Sequence, residues 1–293
     1  MNKLSKTIFF WLGLFIMSSL IGSIIFLSST GFIEYNRGNL EKIEINEIER
    51  VMINGLNNVE IISLSTDIEI IETNFSEFVF ELTGEYINNS YNDLPRLNVV
   101  ETEGEVSVEI IYPKQRLVLG LGQNRLKLKV FVPKNYLKGL NVKTASGDLK
   151  IKDLDLSEFK LITISGDIGV EDIVSNKFEI GTTSGDISVR NFDGETFEIR
   201  TVSGNIKLIN SSINFVKTAS GDVSIRDLLV KEDLEIKTIS GNVNICYLDG
   251  LFDVEFESVS GNFNGEESFE EGLKGESSFF IKTVSGDLKV GVC

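Results

Sequence analysis

Three aspartates stand at equal intervals of 19 residues, Asp148, Asp167 and Asp186, each directly after a Ser-Gly pair. Carboxylates in a regular file are what a hard divalent cation such as Ca²⁺ requires, provided several oxygens converge on it. The file continues as Asn205, Asp222, Asn242, Asn262 and Asp287, so three of its eight positions carry an amide instead of a carboxylate. One ligand per unit, interrupted by asparagine, points to a turn held by hydrogen bonds in preference to a row of metal sites. Asp148, Asp167 and Asp186 are the weak metal candidates, and no cofactor is called for.

Other chemistries are narrower still. The 293 residues include no histidine, which removes the commonest general base and imidazole ligand and excludes Ser-His-Asp, Cys-His and His-ligated zinc sites. A formal charge of -16, from 44 acidic and 28 basic residues, argues against a nucleic-acid partner, whose phosphates need clustered Lys and Arg. Two carboxylates could serve a glycosidase, but short coils leave little room for the irregular loops that build a cleft, so an enzyme is not expected and no catalytic residue is assigned. The cysteines, Cys246 and Cys293, lie two repeats apart, which speaks against a bridge within the chain. Cys246 reads as a small strand residue, and Cys293 as a free thiol or a partner for another chain.

One segment could bind a partner. "NGEESFEEGLKGESS" (264–278) holds Glu266, Glu267, Glu270 and Glu271 around Phe269. Insertions in repeat proteins often carry the binding function, and Phe269 would be the apolar contact within the acidic cluster; the plainer reading is a solvated loop.

The elements that must position these residues are repeats. The triplet glycines are Gly147, Gly166, Gly185, Gly204, Gly221, Gly241, Gly261 and Gly286, at spacings of 19, 19, 19, 17, 20, 20 and 25. A sustained period of this length signals a solenoid. Around each triplet runs apolar-x-apolar-x-Thr-x-Ser-Gly-Asp/Asn-apolar-x-apolar, clearest in "FEIGTTSGDISV" (178–189) and "LEIKTISGNVNI" (234–245). Period-two alternation predicts strands with Leu149 and Ile151 inward and Lys150 and Lys152 in water. Glycine supplies positive φ at the corner, and the Asp or Asn beside it can bond nearby backbone. The parity of inward residues is expected to change there, with a bulge or bend. All three prolines precede Lys134, consistent with paired strands from there on. The final coil ends "GDLKVGVC" with no polar cap, which would leave an open sheet edge and invites end-to-end self-association.

Before the repeats, "VEIISLSTDIEIIET" (59–73) carries a degenerate triplet, Ser65-Thr66-Asp67, and reads as an early coil. With "LKLKVFVPKNYLKGLNVKTASGDLKI" (126–151), the order of a strand ending in Val-Pro, a Tyr-Leu and a Thr-x-Ser-Gly-Asp repeat resembles the bacterial putative-adhesin family of β-strand-repeat domains of unknown function. The resemblance spans residues 46–293. It implies a membrane-anchored envelope protein with a parallel β-helix-like body, and brings no catalytic residues.

The N-terminus sets the expected location. Ile8 to Leu27 is an apolar run of twenty residues, the length that crosses a bilayer core as a helix, with Lys3 and Lys6 before it and no basic residue after it until Arg37. The expected organisation is a cytoplasmic tail at 1–6, a transmembrane signal anchor at 7–28, a spacer at 29–45, atypical capping coils at 46–140, and the repeat solenoid at 141–293. The fold class is all-β, a parallel β-solenoid of about 20-residue coils. The expected function is cell-surface display and adhesion, with cell-wall polysaccharide or an envelope protein as partner; the alternative is an accessory of a regulatory system acting through a membrane partner.

Overall fold

Alternating β-branched and polar residues suit a pleated, half-buried surface, and the computed structural model, which describes residues 41–88, 94–113, 125–229, 233–247, 252–265 and 277–293, is built from strands throughout. No helix among the described residues is long and apolar enough to cross a membrane. The expected anchor at 7–28 lies outside them, as do Glu266, Glu267, Phe269, Glu270 and Glu271.

The first strands form a cap and an opening coil. They are β1 (Glu41–Met52), β2 (Asn58–Ser63), β3 (Asp67–Thr73), β4 (Glu77–Asn88), β5 (Arg96–Thr102), β6 (Glu105–Ile111) and β7 (Arg125–Pro133). β1 thus begins inside the expected spacer. Antiparallel pairings of β1 with β4, β4 with β7 and β5 with β6 close this end. The Glu47 carboxylate ties two of these strands by accepting the Leu97 amide at 2.7 Å. β2 and β3 are a true coil, in parallel register with the repeats that follow them.

The repeats run through β8 (Gly139–Ser146), β9 (Leu149–Ser165), β10 (Ile168–Gly181), β11 (Ile187–Arg200), β12 (Ile206–Ser211), β13 (Phe215–Lys217), β14 (Val223–Leu228), β15 (Leu234–Lys237) and β16 (Val243–Tyr247). Each residue pairs in parallel with its counterpart one period on: Leu149 with Ile168, Ile168 with Ile187, Ile187 with Ile206. Inward residues therefore stack on their own kind, and Phe159, Phe178 and Phe197 form a buried file with ring centroids 5.0 and 4.8 Å apart. Alternation continues through the repeat threonine: Thr163, Thr182 and Thr201 are buried, and the next residue turns outward. From Thr182 to the next inward residue, Ile187, is an odd step, so the parity does change across the corner.

Stacking order departs from chain order at the far end. The last strands are β17 (Phe252–Ser260), β18 (Phe263–Gly265), β19 (Ser277–Ser285) and β20 (Leu288–Val292). β15 and β16 pair with β19 and β20, not with β17 and β18. β17 and β18 pair with the other side of β19 and β20. The final coil is thus inserted between its two predecessors, and its Phe279, Ile281, Leu288 and Val290 are buried.

Two expectations are corrected by this order. Among the described residues, the unpaired edge at this end belongs to β17 and β18, where Val259 and Phe263 are exposed, and not to the chain's last residues. Insertion also brings Cys293 beside Cys246: the two form a disulfide with Cα atoms 5.1 Å apart, so neither is free. Counting repeats along the sequence placed them two coils apart, whereas in space they are on neighbouring coils.

Candidate ligand-binding face

The corner triplets build the scaffold. Each Asx side chain accepts the backbone amide of its counterpart on the next coil: Asp67 Oδ1 from Asp148, Asp148 from Asp167, Asp167 from Asp186, and Asp186 from Asn205, all at 2.8–3.0 Å. The file continues through Asp222, Asn242 and Asp287 and ends at Asn262. Either residue type supplies the one acceptor required, which explains why aspartate and asparagine interchange. Asp148, Asp167 and Asp186 are exposed and stacked, each with one oxygen bonded to backbone.

Glycine at the corner answers two demands. At Gly185 φ is 141°, and a Cβ would lie 2.1 Å from the Gly166 carbonyl oxygen of the coil below. The same close approach repeats along the file, except that Gly261, in the end coil, lies outside the positive-φ set.

A second ladder has its own signal in the sequence. Six residues after each of the first five corner glycines stands Asp or Asn: Asp153, Asp172, Asn191, Asn210 and Asp227. All five adopt φ between 49° and 57°, the left-handed conformation these side chains tolerate best. Asn191 donates to Asp172 at 2.7 Å and Asn210 to Asn191 at 2.9 Å. These residues bend each coil, so that Leu149 and Ile151 before the bend and Leu154 and Leu156 after it all face the core.

Between the two ladders lies a flat outer face whose side chains form columns one coil apart. Glu69, Lys150, Gly169 and Ser188 occupy one column, and Ile71, Lys152, Glu171 and Arg190 the next. Gly169 and Ser188 are short, so their neighbours stand above them around a shallow groove of about 480 Å³. Lys150 and Arg190 are exposed and make no ion pair among the described residues. Lys152 lies 3.7 Å from Glu171. The hydrogen bond from Lys127 holds the Glu69 carboxyl below the usual range, against the opposing effect of burial, so the groove presents fixed charges of both signs at neutral pH. Three guanidinium or ammonium heads, two carboxylates and a small-residue floor can hydrogen-bond a polar chain laid across the coils. The volume lies within the range of small-ligand sites.

Comparison with known proteins places the fold. A putative adhesin from Bacteroides fragilis is 12% identical, with 85% of this chain and 97% of that chain covered at a TM-score of 0.52. A putative lipid binding protein from Parabacteroides distasonis is 16% identical, with 86% and 98% covered at a TM-score of 0.53. No curated protein matches the chain. The family model described as Toastrack DUF4097 matches residues 56–292, from the early coil to the inserted last strand, and the chain belongs to that family.

Proposed function

We propose that this protein is a non-enzymatic display domain of the bacterial envelope, held to the membrane by residues 7–28, with the N-terminus cytoplasmic and the solenoid outside, and that its flat face binds an envelope polysaccharide. The observation that carries this reading is the open groove over Gly169, with Lys150, Lys152 and Arg190 beside Glu69 and Glu171 on coils of fixed spacing. A rigid face of this kind can meet several units of a polymer at once, each weakly, which suits adhesion. The disulfide supports an oxidising compartment outside the cytoplasm.

Filling the groove tests the reading. A Cβ at Gly169 would meet nothing closer than the Leu149 carbonyl at 3.8 Å, so Gly169→Gln adds bulk outward and leaves the core intact. Full-length protein in detergent is passed over purified cell-wall polysaccharide and, separately, over solubilised membrane proteins. Saturable retention on polysaccharide that drops at least fivefold in Gly169→Gln, with an unchanged melting temperature, is the expected result. Equal retention of the variant would remove the groove from the reading, and capture of a single membrane protein with none on the wall would favour an accessory role.

A further inference from the structure

The second ladder stops at Asp227, and what it meets there is not another Asx residue. By count Tyr247 stands six residues past Gly241, but the register shifts after Ile225 and pairs Tyr247 with Leu228, so no Asx residue continues the file. Asp227 keeps the ladder conformation, φ 54°, and is half-buried, yet its carboxylate has no hydrogen-bond or ion-pair partner among the described residues. It faces the sulfur atoms of Cys246 and Cys293: one carboxylate oxygen and both Sγ atoms lie within 4.8 Å of one another. The three residues come from three consecutive coils, because the last coil is inserted beside β16.

We propose that Asp227, Cys246 and Cys293 form a redox-gated site for a borderline divalent cation such as Zn²⁺, closed while the disulfide stands and open once it is reduced. The reductant is a dithiol. Its first thiolate attacks one sulfur of the Cys246–Cys293 bond to give a mixed disulfide; its second thiol displaces the remaining cysteine. Two electrons and two protons pass to the protein, leaving two thiols, and the dithiol departs as a cyclic disulfide. The cation then takes both sulfurs as thiolates and releases two protons to solvent.

The donor set fits this class of metal. Thiolates select Zn²⁺ over Ca²⁺ or Mg²⁺, and a carboxylate completes three protein ligands with water as the fourth. Two sulfurs bound at ~2.3 Å in a tetrahedral site sit roughly 3.8 Å apart. Side chains on adjacent coils with Cα atoms 5.1 Å apart can reach that separation without moving the backbone.

The test uses the full-length chain in detergent, reduced with a dithiol, freed of it under anaerobic conditions, and titrated with Co²⁺ as a spectroscopic stand-in for Zn²⁺. The reduced wild type should develop thiolate-to-cobalt charge-transfer absorption saturating at one metal per chain, bleached by added Zn²⁺. The oxidised chain and Cys246→Ser should show none of it. Asp227→Asn is compatible with the fold, since Asn191 and Asn210 hold the same conformation in the same ladder, and it leaves both thiols in place. It should weaken binding at least tenfold. Absence of the absorption in reduced wild type, or a smaller loss in Asp227→Asn, overturns the proposal.

Discussion

The Asn242 side-chain oxygen accepts the backbone amide of Asp287 at 3.0 Å, although Asp287 lies 45 residues onward and Asn262, with the same triplet, only 20. Asn262 donates instead to Asp287, from the other side. The corner ladder therefore records the order of coils in space, and that order can be read by cross-linking. In a Cys246→Ser/Cys293→Ser background, Asn244→Cys with Lys289→Cys should form a disulfide in mild oxidant, since the two positions are in register on adjacent coils. Asn244→Cys with Asn264→Cys should not, because Lys289 stands between them. The reverse result, detected by peptide mass spectrometry, would mean that the coils follow chain order.

The Cys246–Cys293 bond closes a loop of 47 residues, and the entropy removed from the unfolded chain corresponds to ~2–4 kcal/mol. Stability in a solenoid is local to neighbouring coils. Reduction should accordingly speed hydrogen exchange at Ile281 and Leu288 by two orders of magnitude or more, while Ile151 and Ile168 keep their protection. Uniform loss along the whole chain would contradict this locality.

Gly185→Ala should be costly. The new Cβ would overlap the Gly166 carbonyl oxygen in a backbone conformation that disfavours any side chain, for a loss of ~2 kcal/mol or more. Gly181→Ala is the matched control: nothing lies within 4 Å of its Cβ position and its φ is not positive, so it should be neutral or stabilising by up to ~1 kcal/mol. Urea midpoints of the two variants make the comparison.

Acid should loosen the face that carries Glu179. Burial raises the pKa of this carboxyl, but hydrogen bonds from Lys160 and Lys177 outweigh it and the net shift is downward. A lowered folded-state pKa stabilises above the ordinary value of 4.5, and the contribution is lost as pH falls through the folded value. Lys177 shifts upward, through its hydrogen bonds to Glu158 and Glu179, so its contribution is complete below 10.5 and lost only in strong base. Melting temperature should therefore fall below about pH 4.5, and Glu179→Gln should flatten that fall while lowering stability at neutral pH. An identical acid profile in the variant would place the acid sensitivity elsewhere.

Much of the scaffold was legible in the residues. The period of the Ser-Gly-Asp/Asn triplets named the corner, the alternation around Leu149 and Ile151 named the core side, and Ser65-Thr66-Asp67 marked a coil far upstream of the regular repeats. These features depend on a residue's near neighbours, and a strand's alternation or a glycine's positive φ is a local property. The second ladder was equally local but masked, because aspartates after a strand look like ordinary surface charge until their left-handed φ is seen.

The order of the last coils was decided by tertiary packing. Every coil offers the same parallel edge and the same corner acceptor, so the sequence alone determined that residues 252–265 and 277–293 would each be a coil, but not which would stack on residues 234–247. Interior packing distinguishes them: the inserted coil presents Phe279, Ile281, Leu288 and Val290 inward, whereas the end coil has Gly265 where the inserted one has Val290, a position that needs no filling at an open end. From that one choice follow the partner of Cys246, the position of the open edge, and the meeting of Asp227 with two sulfurs.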